Sequence, residues 1–327
     1  MIEVTRLSKI GGPLTKRISL TPDGTLLSDG SACVMSRGHA RRERLDCLEA
    51  FAALIQGLAP HEAIALGSLR SDLPDQVDVT TQDRLAKLNG TAPPDLIART
   101  SGHIAYEPGH SAFALIDIDT KAMPPDVRAR IKDAGGFWSA LVSVLPELAA
   151  VGRIVRRSTT TGISRLDTGE ALPGSNGMHV YLHVEDGADI ERFLRALHER
   201  CWLAGFGWHM VGAGGQLLDR SLVDRMVYAA ERLVFEGAPV LVAPLAQDQS
   251  SRRPIIHDGT PLDTKAACPP LRIVEAAQLK DLKSRSAHAL APDRALERER
   301  FITHHTERLA AAAGITAPEA RRVIERQ

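Results

Sequence analysis

The stretch Phe113-Ala114-Leu115-Ile116-Asp117-Ile118-Asp119 joins an apolar run to two acidic residues. A short apolar run of this kind is typical of a buried strand. Side chains two apart in a strand point to the same face, so Asp117 and Asp119 are predicted to lie together. Two carboxylates at the end of a buried strand repel each other unless a cation offsets their charge. The stretch therefore predicts a sheet that ends in an acidic pair suited to Mg²⁺ or Mn²⁺.

The spacing of the acidic pair has little weight without the strand before it. The chain has 40 acidic residues in 327, so acidic-x-acidic triplets are expected about five times by chance. Most such triplets lie on solvated surfaces. The apolar run that precedes Asp117 distinguishes this triplet from the others.

Helical and strand patterns alternate on both sides of this stretch, which predicts an α+β (mixed α/β) fold. Helices are predicted over the apolar stripe from Leu45 to Leu58, near Pro60, over 126–148 with a break at Gly135-Gly136, and over 189–203. Strands are predicted in hairpins within 10–40, over 151–155 and 178–184, and from Arg232 to the Gly-Pro turn.

Three regions follow from these patterns: an N-terminal α/β part over 1–95, a catalytic part over 96–270, and a helical tail or linker over 271–327. In the tail, Gly314 is a candidate helix C-cap, Thr316 an N-cap and Pro318 a first-turn residue of the last helix.

Composition and charge narrow the class of protein. The chain has 40 basic and 40 acidic residues, so a nucleic-acid partner would require basic groups that are locally concentrated. No export signal and no run of roughly 18 apolar residues is present, which predicts a cytoplasmic protein without a membrane partner. The four cysteines are far apart in sequence and indicate neither disulfides nor a zinc site.

A second group of polar residues lies downstream of the acidic pair. Arg153, Arg156 and Arg157 precede the hydroxyl run Ser158 to Thr161, and the Gly-rich loop 174–177 leads into a strand that begins near His179. Forked cations, hydroxyls and accessible backbone N–H groups all suit a polyphosphate.

A third group follows at 217–239. Asp224 comes after two apolar residues, and Val227-Tyr228 and Arg232 lie downstream of it. Alone, this segment is typical of a short amphipathic turn with solvent-facing charges.

Together the three groups resemble the motifs of the archaeo-eukaryotic primase superfamily, in particular the primase-polymerase domains of plasmids, phages and other mobile elements. The resemblance covers about residues 100–245. Its matching motifs are Asp117 with Asp119, then Gly177-Met178-His179-Val180-Tyr181, then Val223-Asp224 with Val227-Tyr228 and Arg232.

The chain departs from the family pattern at two places. Gly177 stands where many members have Ser, so the phosphate donor would be Ser175, Asn176 or a backbone N–H. Asp219 competes with Asp224 as the third carboxylate, and Asp224 is preferred because it keeps Val227, Tyr228 and Arg232 in register. No phosphate loop of the Gly-x-x-x-x-Gly-Lys-Ser/Thr type accompanies these motifs, so a helicase is not expected within this chain.

The resemblance implies a catalytic core with an RRM-like sheet that joins nucleoside triphosphates on a DNA template. Asp117, Asp119 and Asp224 would be the catalytic residues and would bind two divalent ions, Mg²⁺ or Mn²⁺. It also implies a separate or fused replicative helicase as a partner, with Tyr181 and Tyr228 as candidate sugar gates. The implied nucleotide-binding residues are His179, Ser158, Thr160, Ser175, Asn176, Gly177, Arg232, Arg156 and Arg157.

Two alternative functions stay open. One keeps the fold as a DNA-binding replication-initiation module with weak or no polymerase activity. The other is a metal-dependent nuclease or phosphoesterase that uses Asp117 and Asp119. Incubation of primed and unprimed templates with nucleotides and Mn²⁺ distinguishes the three functions.

Overall fold

A computed structural model of the chain describes residues 1–118, 123–175 and 177–326. It shows an α+β protein with several open sheets, as the alternating sequence patterns predict. The strands are β1 (Ile2–Lys9), β2 (Arg17–Leu20), β3 (Leu26–Asp29), β4 (Arg37–Leu45), β5 (Glu62–Ala65), β6 (Ser68–Leu69), β7 (Gln76–Thr80), β8 (Leu96–Ala98), β9 (Ile104–Ala105), β10 (Ala112–Ile118), β11 (Arg153–Arg157), β12 (Ile163–Arg165), β13 (Met178–Val184), β14 (Gly207–Val211), β15 (Leu217–Ser221), β16 (Val240–Leu241), β17 (Leu245–Gln247) and β18 (Ile255–His257).

The α-helices are α1 (Leu48–Gln56), α2 (Gln82–Ala86), α3 (Pro125–Asp133), α4 (Phe137–Val144), α5 (Ile190–Leu203), α6 (Thr264–Ala267), α7 (Ile273–Ala289), α8 (Ala291–Ala313) and α9 (Ala317–Glu325). Short 3-10 helices cover Pro146–Ala150, Gly187–Asp189, Arg225–Tyr228 and Gln249–Arg252. Across the described part of the chain, no helix is both long enough and apolar enough to cross a membrane.

The chain divides into two compact units. Unit 1 comprises Met1–Thr120, Leu145–Arg195 and Val223–Pro269. Unit 2 comprises Lys121–Val144, Ala196–Leu222 and Pro270–Gln327.

The first large sheet of unit 1 has the strand order β5-β1-β4-β7-β8, and only the β7–β8 pair is parallel. Apolar side chains at alternate positions of these strands bury one face of the sheet, as expected for half-covered strands. The core on that face includes Leu7, Ala40, Ala63, Val77 and Ile97.

The second large sheet of unit 1 has the order β10-β13-β11-β18, and every neighbouring pair is antiparallel. The chain passes from β10 through α3 and α4 to β11, and β13 is inserted between β10 and β11. This connectivity is the split β-α-β arrangement. All but one residue of β10 are buried, which means that both faces of the sheet are covered near that strand.

Most of the predicted elements are confirmed. The predicted strands over 113–118 and 178–184 are β10 and β13, and the apolar stripe from Leu45 to Leu58 contains α1. The predicted break separates α3 from α4, where Gly135 and Gly136 have φ angles of 89° and 111°.

Two predicted elements are wrong. The segment after Pro60 is the strand β5 rather than a helix, because Glu62–Ala65 are all buried and pair with β1. The segment from Arg232 forms only an isolated bridge between Val234 and Ile64 rather than a strand. In both places long-range pairing decides the backbone, and a local pattern does not contain that information.

Unit 2 contains the β14–β15 hairpin and helices from both halves of the chain. Met123, Val127 and Trp208 form one of its apolar clusters. The predicted end of the chain is confirmed: Gly314 ends α8 with a φ of 64°, and Thr316 begins α9 in a capping box with Glu319.

Candidate functional site

Three predicted site residues form one row across the second sheet of unit 1. Asp117 of β10 is the direct partner of His179 of β13, and His179 is the direct partner of Arg156 of β11. Direct partners in antiparallel strands have their side chains on the same face. Nε2 of His179 lies 3.7 Å from Oδ1 of Asp117, and these side chains are 25% and 35% exposed. The sheet register therefore brings a carboxylate and an imidazole together where β10 ends and β13 begins, in a position that solvent can reach.

Glu236 joins this row from a distant part of the chain, and sequence reasoning missed it. Its Oε1 lies 2.6 Å from Nδ1 of His179 and accepts a hydrogen bond of 2.5 Å from the Tyr181 hydroxyl. The residue is only 1% exposed. The sequence feature that could have identified Glu236 is its place at the end of the apolar run Leu233-Val234-Phe235. Burial of a carboxylate there without a partner would be costly.

Two arginines neutralise the other oxygen of Glu236. Nη1 of Arg156 lies 3.2 Å and Nη2 of Arg252 lies 3.5 Å from Oε2. Both arginines are almost fully buried. Arg156 also donates to the Ile55 carbonyl and, over 3.2 Å, to the Arg252 carbonyl. The guanidinium expected to contact phosphate is thus directed into the interior of unit 1, where it binds Glu236.

The charges around this pair shift its pKa values in consistent directions. Burial alone would lower the pKa of His179, but the charge and hydrogen bond of Glu236, together with Asp117, raise it above its ordinary value. Burial would raise the pKa of Glu236, but His179 and Arg156 lower it by more. The two shifts therefore favour the protonated imidazole of His179 beside an ionised Glu236.

Tyr181 and Arg252 complete the buried group. Burial first, then the Glu236 charge, raises the pKa of the Tyr181 hydroxyl, which stays a neutral donor. Burial and the charge of Arg156 lower the pKa of Arg252 to about 10. Tyr181 is fully buried, so its ring is not accessible as a sugar gate. The Arg195 guanidinium lies 5.5 Å from the ring centre of Tyr228, the other candidate gate.

The predicted hydroxyl residues form a second cluster. The hydroxyl oxygens of Ser158, Thr160 and Ser175 form a triangle with sides of 2.8, 3.0 and 3.0 Å. The Ser158 N–H also donates to the Gly177 carbonyl over 3.0 Å, which places the cluster beside the start of β13. Oxygens spaced in this way can rotate their protons outward as donors to an anion.

Gly177 is explained by a close backbone approach. A Cβ atom at this position would lie 2.9 Å from the Ile118 carbonyl oxygen, too close for any side chain without movement of β10. A serine at this position, as in many members of the resembling family, would therefore not fit this backbone. The hydroxyl of Ser175 lies within the cluster instead.

The third motif, Val223-Asp224 with Val227-Tyr228 and Arg232, lies in unit 1. Asp224 belongs to unit 1 and accepts a 2.9 Å hydrogen bond from the Met226 N–H at the start of the 3-10 helix Arg225–Tyr228. This helix contacts β10. Arg232 is exposed and donates to the Met226 carbonyl over 3.2 Å. Arg157 is exposed at the end of β11.

Asp219, the competing carboxylate, belongs to unit 2. It accepts hydrogen bonds from Trp202 at 2.7 Å and from Lys283 at 2.7 Å, and it lies 3.1 Å from Nε2 of His198. Its partners are thus an ammonium group, an imidazole and an indole of its own unit.

Two predicted residues, Asp119 and Asn176, lie outside the described residues. Within the described ranges, no group of three or more His, Cys, Asp and Glu side chains could hold a metal ion. The carboxylates of Asp117 and Asp224 are hard oxygen donors of the kind that Mg²⁺ and Mn²⁺ bind. The donor chemistry fits a divalent ion, and Asp119 would be required to complete the predicted set.

A cavity of about 520 Å³ lies elsewhere in unit 1. It is lined at the N-terminal end of β10, whereas Asp117 is near the C-terminal end, and none of the predicted site residues lines it. Arg42 and Arg44 on its wall pair with Glu3 and Asp75, so their charges are already compensated. We place the candidate site at the His179 row because the chemically distinctive residues converge there.

Comparisons of the chain with protein-family models, with curated proteins and with solved structures returned no match.

Proposed function

We propose that the chain is a template-directed nucleotidyltransferase of the primase-polymerase type, which joins nucleoside triphosphates on a DNA template. The observation that carries the proposal is the row of Asp117 and His179 in direct cross-strand register beside the Ser158, Thr160 and Ser175 hydroxyls. A carboxylate for metal, a cationic imidazole and a cluster of hydroxyls are the groups that a metal-bound triphosphate requires.

Each group would have a separate task. Asp117, Asp119 and Asp224 would hold two divalent ions, which activate the attacking hydroxyl and neutralise the leaving pyrophosphate when bound. His179 would donate from Nε2 to a β- or γ-phosphate oxygen. The hydroxyl cluster would orient the triphosphate, and the exposed Arg157 and Arg232 would add positive charge near it.

The connectivity of the second sheet also supports the proposal. A split β-α-β unit with antiparallel strands is consistent with an RRM-like core, and the first two predicted motifs lie on its adjacent strands, the edge strand β10 and the inner strand β13. The fourth strand, β18, lies next to β11. A DNA template, a replicative helicase and a role in replication of a mobile element belong to the same proposal.

Nucleotide incorporation on defined templates tests the proposal. Purified chain is incubated with primed or unprimed single-stranded DNA, labelled ribo- or deoxyribonucleotides, and Mn²⁺ or Mg²⁺. Extended primers support polymerisation, and new short products on the unprimed template support priming.

Two other results would overturn the proposal. DNA binding without incorporation in either metal would support the replication-initiation module. Degradation of the template would support the nuclease. The Asp117→Asn variant, assayed in parallel, assigns any activity to this site rather than to a contaminant.

A further inference from the structure

We infer that Glu236 is a positioning residue for His179, whose imidazole it orients with Nε2 toward Asp117 and the triphosphate. The inference rests on the proposed function, because the triphosphate is the ligand that His179 would contact.

The two ring nitrogens of His179 have different surroundings. Nδ1 lies 2.6 Å from Oε1 of Glu236, within hydrogen-bond distance. Nε2 lies 3.7 Å from Oδ1 of Asp117, beyond hydrogen-bond distance. Because Glu236 binds Nδ1, Nε2 is the nitrogen that can donate to an incoming anion. A fixed partner on one nitrogen determines both the direction of the ring and the role of the other nitrogen.

Glu236 is itself held from three directions. The Tyr181 hydroxyl binds Oε1, and Arg156 and Arg252 approach Oε2. These three side chains come from β13, from β11 and from the 3-10 helix Gln249–Arg252. The carboxylate therefore has one position relative to the sheet. Its contact with Nδ1 fixes the orientation of the His179 ring in turn.

The free energy lost when these charged groups are buried indicates a role beyond stability. Burying a carboxylate and two guanidinium groups costs hydration that their mutual attraction only partly returns. Apolar residues of similar volume would fill the same space at no such cost. An ionised, immobile carboxylate gives the imidazole that it binds a defined direction, which apolar residues in the same space could not do.

Several charged and titratable groups surround His179, and the Glu236→Gln variant removes the charge of one of them. Glu236 and Asp117 are anionic, Arg156 and Lys16 are cationic, and Tyr181 is a neutral donor. Glu236→Gln keeps the size of the side chain and an acceptor oxygen but removes its charge. We expect a rise of about 10-fold in the nucleotide KM, in line with loss of one charged hydrogen bond, and a smaller change in kcat.

A double-mutant cycle separates positioning from a merely structural role. Nucleotide KM is measured for wild type, Glu236→Gln, His179→Ala and the double variant. If Glu236 acts through His179, Glu236→Gln has no further effect on KM once His179 is absent. Glu62→Gln is the matched control, because Glu62 is also buried in unit 1 and paired with an arginine, and it should leave KM unchanged.

Imidazole NMR tests the same contact without any activity. In ¹⁵N-histidine-labelled wild type, we expect a strongly downfield Nδ1–H resonance that disappears in His179→Gln. Wild type and His179→Gln together therefore test the contact, even if Glu236→Gln fails to fold. Absence of this resonance from the wild-type spectrum would overturn the inference.

The outcomes distinguish the inference from the proposed function. A wild-type protein that incorporates nucleotide, combined with additive KM effects in the cycle, overturns the inference alone. A wild-type protein that neither binds nor incorporates nucleotide overturns the proposed function, and the inference falls with it. Non-additive effects together with the downfield resonance support both.

Discussion

Asp117 and His179 face each other across the β10–β13 pair, with 3.7 Å between Oδ1 of the carboxylate and Nε2 of the imidazole. The two residues are 62 positions apart in sequence, and the chain between them passes through helices of unit 2. Only the register of the sheet brings them together. A slip of one residue in that register would move one of the two side chains to the opposite face.

The first prediction concerns Asp117. Asp117→Asn should reduce nucleotide incorporation by at least about 100-fold, because a neutral amide cannot replace a carboxylate ligand of a divalent ion. The side chain is partly exposed, so the melting temperature should stay close to that of wild type. Primer extension in Mn²⁺ and a thermal melt measure the two effects.

The exposed Asp95 supplies the matched control for this experiment. Asp95→Asn removes one carboxylate from the same unit without touching the His179 row, and its activity should equal that of wild type. Wild-type activity in Asp117→Asn would contradict the assignment of this carboxylate.

Much of the fold could be predicted from local patterns. The apolar run of β10, the Gly135-Gly136 break and the Thr316 capping box each depend on neighbouring residues, and each is confirmed. The strand β5 could not be predicted in this way. Glu62 is buried there with partners that include Arg6 of the adjacent strand, at 2.7 Å, and the Ala59 N–H, at 2.9 Å.

The candidate site could be predicted only where its residues lie on strands with a clear pattern. Asp117 and His179 could be identified from the apolar runs beside them. Glu236 follows β15 and the 3-10 helix Arg225–Tyr228, and its burial depends on Arg156 and Arg252. The apolar run Leu233-Val234-Phe235 indicates burial at this point, but those partners are 80 and 16 positions away, so no local pattern identifies the cations that compensate this carboxylate.

The second prediction concerns the stability of the Glu236 group. Glu236→Gln should lower the free energy of unfolding by about 3–5 kcal/mol, because it leaves Arg156 and Arg252 buried without a counterion. Tyr181→Phe removes one hydrogen bond to the same carboxylate and should cost only about 1 kcal/mol. Urea unfolding measures both values, and equal losses in the two variants would show that the ion pairs are not the dominant interaction.

The third prediction concerns Gly177. Gly177→Ser should lower stability by about 1–3 kcal/mol and reduce incorporation, because its Cβ would press on the Ile118 carbonyl. Gly30→Ser is the control, since Gly30 is exposed and has no atom within 4 Å of the added carbon. Higher activity in Gly177→Ser would instead mean that this backbone tolerates the serine found in many members of the family that the chain resembles.

The fourth prediction concerns Asp219 and acid stability. Burial raises the pKa of Asp219, but His198 and Lys283 lower it by more, so the folded-state pKa lies well below the ordinary value. A depressed carboxyl pKa stabilises the fold above the ordinary value near 3.8, and this contribution is lost as the pH falls toward the folded-state pKa. Asp219→Asn should therefore be about 2 kcal/mol less stable than wild type at pH 7.

The acid dependence itself is the discriminating measurement. Unfolding free energies of wild type and Asp219→Asn should converge as the pH falls below about 4. Asp281→Asn, which alters an exposed pair with Arg285 on α7, should follow the wild-type curve throughout. A constant difference between wild type and Asp219→Asn at every pH would mean that the carboxyl charge is not responsible.

The fifth prediction concerns Gln247, whose side chain binds the backbone of the turn that carries the hydroxyl cluster. Its Nε2 donates to the Thr159 carbonyl over 2.8 Å and to the Thr161 carbonyl over 2.7 Å. These two carbonyls flank Thr160, whose hydroxyl is part of the cluster. Gln247→Ala removes both hydrogen bonds and leaves the backbone of this turn without that support.

We expect Gln247→Ala to act locally rather than on the whole fold. Amide hydrogen exchange over 158–162 should accelerate by about 10-fold, the equivalent of roughly 1.4 kcal/mol in local opening, while β10 and β13 stay protected. Nucleotide KM should rise because the hydroxyl donors lose their fixed spacing. Gln249→Ala changes a nearby glutamine whose Nε2 donates to Oε1 of Gln247 over 3.0 Å rather than to the turn itself, and it should leave both quantities near wild type. Unchanged exchange over 158–162 in Gln247→Ala would show that the turn is held by its own hydroxyl hydrogen bonds.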